Sequence, residues 1–185
     1  WNMLGSGNQS PDTNASARMQ SQPDWDSGQW KGNCPDSERL IGVARSTNRA
    51  LCTDSAQPGT SNAYTVVSNE STVTHDWAGG YSKLQCPSNQ IATGYSLTIG
   101  STNKWAMSKL LCSQSTNTLP TSQGRTVWFD KADNRPAGVG SLASDWAPGK
   151  YKGQCSNNEY IAGVAYTYRW NNGGVPSGLP CKPPS

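Results

Sequence analysis

The stretch DWAGGYSKLQCPSNQIATGYS, residues 76–96, carries the pattern from which the fold can be predicted. Two other stretches align with it without a gap: DWDSGQWKGNCPDSERLIGVA at 24–44 and DWAPGKYKGQCSNNEYIAGVA at 145–165. Counted from each Trp, all three have a Gly at position three, a Lys at six and a Cys at nine, and a second Gly lies eight residues after the Cys. This fixed register predicts three copies of one structural unit.

Turn residues and β-forming residues alternate within each unit. The segments SGQWKG, GGYSKL and PGKYKG predict a turn and then a short strand that ends at the Cys. A polar turn follows, and RLIGVA, QIATGYSLTI and YIAGVAYTY predict the next strand, in which the repeated Gly indicates a bulge or a close backbone approach. Further strands are expected at 63–67 and 125–129. No segment shows a sustained helical apolar stripe, so we expect few and short helices.

The six cysteines are distributed as two per unit. Their even number and the lack of a CxxC pair favour disulfides formed in an oxidising compartment over zinc binding or thiol redox chemistry. Among the fifteen connectivities that six cysteines allow, a threefold repeat favours the symmetric one. The predicted bridges are Cys34–Cys52, Cys86–Cys112 and Cys155–Cys181. Each would close a loop of about 20 to 30 residues, which stabilises a fold by roughly 3 kcal/mol.

The length of 185 residues and the hydrophobic content of 34% indicate one domain, residues 1–185, with a modest core. We divide it into an N-terminal arm at 1–23 and repeats at approximately 24–62, 63–124 and 125–185, called units one, two and three below. Units of this size fit a closed β-structure better than an open solenoid. The predicted fold is therefore all-β, with three pseudo-symmetric, disulfide-stapled repeats in a trefoil-like or β-prism-like arrangement.

Composition and charge exclude several classes of function. Only 15% of the residues are charged, against about 25% in ordinary globular proteins, as is typical of extracellular β-rich proteins. The net charge of +3 without a Lys/Arg cluster speaks against nucleic acid binding, and no apolar run is long enough to predict a membrane span. We expect a secreted, processed protein without a cofactor. A metal site is not expected either, because His75 is the single histidine. The oligomeric state is left open.

The second unit resembles the repeat of dermatopontin, an extracellular-matrix family. The resemblance lies in GGYSKLQCPSNQIATGYS and KWAMSKLLC, where an aromatic segment leads to a QCP-like cysteine and a Trp precedes the partner cysteine. Units one and three lack that later Trp. The DW..G..K..C pattern also resembles short repeats appended to secreted bacterial hydrolases. Both resemblances imply an extracellular adhesive or binding module and carry over no catalytic residue.

Two repeated features are candidate ligand sites. The aspartate of each Asp-Trp pair could accept hydrogen bonds from sugar hydroxyls, although an Asx-type turn with the Trp as a core anchor is the favoured interpretation. These aspartates are Asp24, Asp76 and Asp145. Turn aromatics next to lysines offer a stacking face and a donor, which suits a glycan, whereas a lysine stem covering the ring is the structural alternative. These residues are Trp30 with Lys31, Tyr81 with Lys83, and Tyr151 with Lys152.

The sequence favours a secreted, lectin-like carbohydrate-binding protein or module with repeated sites, so a glycan or polysaccharide is the expected partner. One alternative is a small secreted polysaccharide or cell-wall hydrolase that uses a carboxylate pair. Another is a protein-binding inhibitor or toxin subunit that uses the segments 54–75 and 113–142. Four aromatics break the repeat and either serve one special site or fill loops, and loop filling is the favoured interpretation: Trp105, Trp128, Tyr168 and Trp170.

Overall fold

The computed structural model describes residues 2–3, 25–26, 29–34, 37–53, 58–73, 75–98, 106–136, 144–167 and 174–184. The described residues form strands and no helix, which confirms the all-β prediction. No described segment is thus a helix that could cross a membrane. The strands are β1 (Asn2–Met3), β2 (Trp30–Asn33), β3 (Arg39–Ala44), β4 (Ser46–Thr53), β5 (Thr60–Val67), β6 (Ser82–Gln85), β7 (Gln90–Leu97), β8 (Met107–Ser115), β9 (Arg125–Trp128), β10 (Lys152–Gln154), β11 (Tyr160–Ile161), β12 (Gly163–Tyr166) and β13 (Pro176–Lys182).

The strands form three antiparallel sheets. The first sheet has the order β1-β4-β3-β10, and the second has the order β2-β7-β8-β5. The third has the order β11-β13-β12-β6, with β9 also paired to β13. β5 and β9 confirm the additional strands expected at 63–67 and 125–129. Of the predicted N-terminal arm, Asn2 and Met3 pair with β4, and the rest lies outside the described residues.

Each sheet combines strands from two sequence units. β2 of unit one pairs with β7 of unit two, and β6 of unit two pairs with β12 of unit three. β10 of unit three returns to pair with β3 of unit one. The strand that leads to the first Cys of each unit, called its first strand below, therefore lies in the sheet that contains the hairpin of the next unit. This exchange runs in a closed cycle.

The three disulfides join the sheets to one another. The bonds are Cys34–Cys52, Cys86–Cys112 and Cys155–Cys181, which confirms the predicted pairing. In each bond the first cysteine directly follows an exchanged strand, and the second lies in the hairpin of its own unit, in a different sheet. Each disulfide therefore holds two sheets together, and the three bonds link all three sheets.

One hydrophobic core receives side chains from all three sheets and contains the six disulfide cysteines. The Asp-Trp turns pack on the opposite, outer faces. Trp146 is fully buried against Ile41 and Leu51 of the first sheet, and Trp25 packs on Leu111 of the second. The Trp of each unit therefore covers a sheet built mainly from the next unit, as a core anchor does.

The repeated glycines lie close to neighbouring strands, at distances that differ among the three positions. This predicts an order for the stability of the three Gly→Ala variants. A Cβ on Gly163 would lie 2.5 Å from the Leu84 carbonyl oxygen, and one on Gly94 would lie 2.8 Å from the Gly32 carbonyl oxygen. A Cβ on Gly42 would meet only the Leu51 side chain, at 3.1 Å. Because backbone yields less readily than a side chain, we expect Gly163→Ala and Gly94→Ala to destabilise the fold by about 1–3 kcal/mol. Urea denaturation should show a smaller loss for Gly42→Ala, and equal losses at the three positions would contradict the packing described.

Candidate functional site

The aspartates of the Asp-Trp pairs stabilise their own turns. Asp76 Oδ1 accepts a hydrogen bond from the Ala78 amide at 3.2 Å, and Asp145 Oδ1 accepts one from the Ala147 amide at 3.0 Å. This is the Asx-type geometry of the structural interpretation. The adjacent indoles are held too, because Trp77 and Trp146 each donate Nε1–H to a glutamine Oε1 eight residues later, at 3.0 Å. Asp24 lies outside the described residues.

The repeated lysines are buried rather than presented at the surface. The exposed fractions are 0% for Lys31, 6% for Lys83 and 0% for Lys152. Each ammonium group donates to a carbonyl oxygen of its own turn, and Lys83 and Lys152 also pair with the turn aspartate. The carbonyl contacts are Lys31 to Asp26 at 3.2 Å, Lys83 to Tyr81 at 2.7 Å and Lys152 to Ala147 at 3.0 Å. Their position fits a structural role and leaves ligand contact to the neighbouring aromatic rings.

Three carboxyl groups that form ion pairs have pKa values below their ordinary range. The hydrogen bond from Lys83 lowers the pKa of Asp76. Burial acts to raise the pKa of Asp145, but hydrogen bonds from the Ala147 amide and Lys152 and the Lys152 charge outweigh it, so the pKa is lowered. Burial likewise acts to raise the pKa of Glu159, but hydrogen bonds from Arg125 and Ser156 and the Arg125 charge together outweigh it, so this pKa is lowered. A glycosidase acid needs the opposite, a raised pKa.

These lowered pKa values predict a stability profile in acid. A carboxyl group with a lowered folded pKa stabilises the fold above its unfolded pKa, near 4, and that contribution is lost as the pH falls through the folded pKa. Urea denaturation should therefore show the free energy of unfolding falling below about pH 4. In Asp145→Asn the free energy of unfolding should fall less steeply with pH, because the variant takes up to about one proton fewer on unfolding. An unchanged slope in Asp145→Asn would contradict the assignment.

The turn aromatics differ in their surroundings. Tyr151 is 43% exposed and lies between two cations, with Arg45 at 4.7 Å and Lys131 at 5.2 Å from the ring centroid. Tyr81 is half-buried and contacts another ring, that of Trp128, with centroids 5.0 Å apart. Trp30 begins β2, and its side chain lies outside the described residues. The predicted equivalence of the turn aromatics therefore does not extend to their contacts.

Trp77, Tyr81 and Trp128 form an aromatic patch on the outer face of the third sheet. Trp128 ends β9 opposite Gly178 of β13, and a Cβ on Gly178 would lie 3.0 Å from the Trp128 ring. Glycine at this position therefore lets the ring lie close against the strand. Thr126, two residues earlier in β9, donates a 2.7 Å hydrogen bond to the Trp77 carbonyl oxygen and fixes the turn beside the ring. Trp128 is 47% exposed, so the patch is accessible to a ligand.

Small residues on the third sheet explain why its Trp stays partly exposed. Val164 and Leu84 point into the central core, so their neighbours Ala165 and Lys83 point outward. Gly178 is paired with Ala165 and shares that face. The first sheet offers Ile41 and Leu51 to bury Trp146, whereas the third offers mainly small side chains to Trp77. Trp77 consequently remains half-buried.

A groove of about 470 Å³ lies on the same sheet, beyond Gln85. It is lined by residues 85–90, 118–121, 160, 162 and 182. Tyr160 and Lys182 are direct partners in the antiparallel pairing of β11 and β13, so their side chains lie on the same face. Asn89 fixes the loop that forms one wall, because its Oδ1 accepts from the Leu119 amide at 2.6 Å and its Nδ2 donates to Asn117 at 3.0 Å.

Tyr160 and Lys182 supply the polar chemistry of the groove. Tyr160 is 3% exposed, and burial raises its pKa. Lys182 is half-buried, and burial lowers its pKa. The remaining lining residues are uncharged, and neither Tyr160 nor Lys182 has an ion pair or hydrogen bond through its side chain to the part of the chain that is described. The groove therefore holds a cation and a phenol that can bind a ligand.

The corresponding corner between units three and one is filled by the protein itself. Arg39 occupies the same position in unit one as Tyr160 in unit three, because each directly follows the glutamate that lies four residues after the Cys. Its guanidinium donates to the carbonyl oxygens of Asn157 at 2.9 Å, Glu159 at 3.1 Å and Pro58 at 3.2 Å. The Arg39 side chain therefore fills the space where units three and one meet. At the equivalent place between units two and three, the space beside Tyr160 remains open as the groove.

The groove and the aromatic patch belong to one surface. Gly178 and Lys182 are four residues apart on β13 and therefore point to the same face, about 14 Å apart along the strand. Gln85 connects the two regions, since it lines the groove and accepts the Trp77 Nε1 hydrogen bond. A single extended ligand can therefore contact both.

The sequence named Tyr81 as a candidate and favoured loop filling over a special site for Trp128, and it did not single out Tyr160 or Lys182. The available signal was the departure from the repeat, because Tyr160 aligns with Arg39 and Ile91. Three residues of such different chemistry at one repeated strand position indicate different environments. Trp105, Tyr168 and Trp170 lie outside the described residues.

Metal binding is not supported by the one cluster of ligand-type side chains among the described residues. Cys155, Glu159 and Cys181 lie close together. Both cysteines are consumed by their disulfide, and Glu159 binds Arg125 at 2.8 Å. This cluster therefore offers no thiolate to a metal ion.

Comparisons with protein-family models, with curated protein sequences and with solved structures found no match for this chain.

Proposed function

We propose that this protein is a secreted carbohydrate-binding protein that holds a glycan on the outer face of its third sheet. The observation that carries the proposal is Trp128, 47% exposed and in contact with Tyr81 above a glycine that keeps its ring against the sheet. An immobilised ring offers a flat apolar face at low entropic cost. Sugar rings have apolar C–H faces that stack on such a surface, and the adjacent groove supplies polar groups for their hydroxyls.

The architecture supports an extracellular binding role. The closed exchange of first strands among units that share one sequence pattern supports three pseudo-symmetric repeats, and three sheets around a common core favour the β-prism-like alternative over the trefoil-like one. Three disulfides that link these sheets fit an oxidising compartment and therefore secretion. Such a rigid scaffold can hold a binding surface without large rearrangement on ligand binding.

Three of the described carboxyl groups favour binding over hydrolysis. Asp76, Asp145 and Glu159 each form an ion pair and have a lowered pKa. None of these three is suited to act as the protonated acid of a glycosidase. We therefore expect polysaccharide binding without release of reducing ends.

Two exposed aromatics of similar accessibility provide the test. Trp128→Ala is expected to weaken the affinity for a bound polysaccharide by about tenfold or more, because a central aromatic anchor contributes about 1–2 kcal/mol or more. Tyr151→Ala, a residue 43% exposed on another sheet, should leave the affinity unchanged. A polysaccharide panel in affinity electrophoresis identifies the ligand, and calorimetry measures each variant.

The result also separates one site from repeated sites. Tyr81→Ala should weaken binding less than Trp128→Ala, because it removes only the supporting ring. Equal stepwise losses from Tyr81→Ala and Tyr151→Ala would instead favour a site on each unit. Unchanged affinity in Trp128→Ala, or release of reducing sugars by the wild type, would overturn the proposal.

A further inference from the structure

The groove differs in charge from the aromatic patch, and this difference specifies the ligand further. We infer that the groove binds the carboxylate of an acidic sugar residue, a uronic acid, within the glycan that the patch holds. This inference rests on the proposed carbohydrate-binding function and adds the chemical class of the sugar. It assigns Lys182 as the carboxylate-binding residue and Tyr160 as its neighbouring hydrogen-bond donor.

Lys182 and Tyr160 are placed to bind an anionic group together. Their direct pairing across β11 and β13 puts the ammonium and the phenol on one face. Among the described residues, Lys182 is the only charged one that lines the groove, and none of those lining residues is acidic. A half-buried cation strengthens its interaction with an anion, because the surrounding dielectric is lower than that of water. A carboxylate accepts hydrogen bonds from both groups, whereas a neutral hydroxymethyl group leaves the cation unmatched.

The size and floor of the groove fit a sugar ring. Its volume of about 470 Å³ lies within the range of small-ligand sites, roughly 300–1,000 Å³. Leu119 packs against the cluster formed by Ile91, Tyr160 and Ala162, which gives the groove an apolar floor. Ser88 and Thr121 also line the groove, are exposed, and carry hydroxyl groups that can exchange hydrogen bonds with those of a sugar. An apolar floor with a single cation selects a sugar that carries one carboxylate.

The equivalent corner shows which chemistry this position has in another unit. There the Arg39 guanidinium donates hydrogen bonds to carbonyl oxygens of the turn at 157–159 and of Pro58. In the groove the cation comes instead from β13, and no described protein group pairs with it. The groove therefore has an unmatched positive charge. Lys182 lies about 14 Å along β13 from Gly178, on which Trp128 packs, so one oligosaccharide can reach both regions.

The test compares matched acidic and neutral oligosaccharides. Calorimetry is carried out with tetramers of galacturonate, glucuronate and mannuronate and with their methyl esters, which keep the sugar ring and remove the charge. The wild type should bind at least one acid about tenfold or more tightly than its ester, as expected of a hydrogen bond to a charged group. Lys182→Gln should abolish this preference, so that it binds the acid no more tightly than the ester. Tyr160→Phe should reduce the preference in part.

A charge-matched variant excludes a general electrostatic effect. Lys131→Gln removes one positive charge at an exposed position beside Tyr151, so its acid preference should equal that of the wild type. A preference that survives in Lys182→Gln, or that falls equally in Lys131→Gln, overturns the inference and leaves the proposed function standing. Binding of neutral glycans with no acid preference in the wild type does the same. Failure of every neutral and acidic glycan to bind the wild type overturns both.

Discussion

Trp146→Ala is expected to lower the free energy of unfolding by about 3–5 kcal/mol, the cost of removing a large buried aromatic side chain. Trp146 is fully buried on the outer face of the first sheet, packs against Ile41 and Leu51, and donates its Nε1–H to Gln154. The substitution leaves a cavity and an unpaired glutamine oxygen at a contact between units three and one. Urea denaturation followed by fluorescence of the remaining tryptophans measures the loss.

Trp77→Ala is the matched comparison, because Trp77 occupies the same repeated position and makes the same 3.0 Å hydrogen bond to a glutamine. It is half-buried on a sheet of small side chains, so its replacement should cost clearly less. Equal losses for the two variants would show that the three outer faces are equivalent. That outcome would remove the structural reason for placing the ligand site on the third sheet.

Removal of the Cys86–Cys112 disulfide by a double substitution to alanine is expected to cost about 2–5 kcal/mol. The bond joins the end of β6 in the third sheet to β8 in the second, and both cysteines lie in the central core. Its loss raises the conformational entropy of the unfolded chain and removes one of the three links between sheets. Guanidinium denaturation without reductant gives the change.

The Cys34–Cys52 bond provides the comparison. Its sequence separation is 18, against 26 for Cys86–Cys112, and chain entropy alone predicts costs that differ by only about 0.3 kcal/mol. Similar losses are therefore expected in the two double variants. A stability equal to that of the wild type in either one would contradict the role of the disulfides as links between sheets.

Much of the fold could be predicted because the information is local and repeated. The strands that end at a Cys follow from spacing within one unit, and the disulfide pairing follows from the repetition of two cysteines per unit. The structure confirms both. The exchange of first strands could not be predicted. Whether β6 pairs with its own hairpin or with β12 of the next unit depends on tertiary packing, which identical turn chemistry does not reveal.

The candidate site was less accessible to sequence reasoning because it depends on departures from the repeat. The repeated lysines suggested surface donors, yet Lys83 and Lys152 are directed into their turns by carbonyl oxygens and an aspartate. Trp128 becomes a platform only because Gly178 lies opposite it in another strand. Such pairing between β9 and β13, about fifty residues apart in sequence, cannot be read from local pattern.

The central claim, a glycan site on the outer face of the third sheet, is tested most directly by nuclear magnetic resonance of the tryptophan indoles. The eight tryptophans give separate Nε1–H signals once assigned by substitution. Titration with the glycan that binds most tightly in calorimetry should shift the Trp77 and Trp128 signals and leave that of buried Trp146 in place. Shifts that spare Trp77 and Trp128 while binding is saturated would contradict the account.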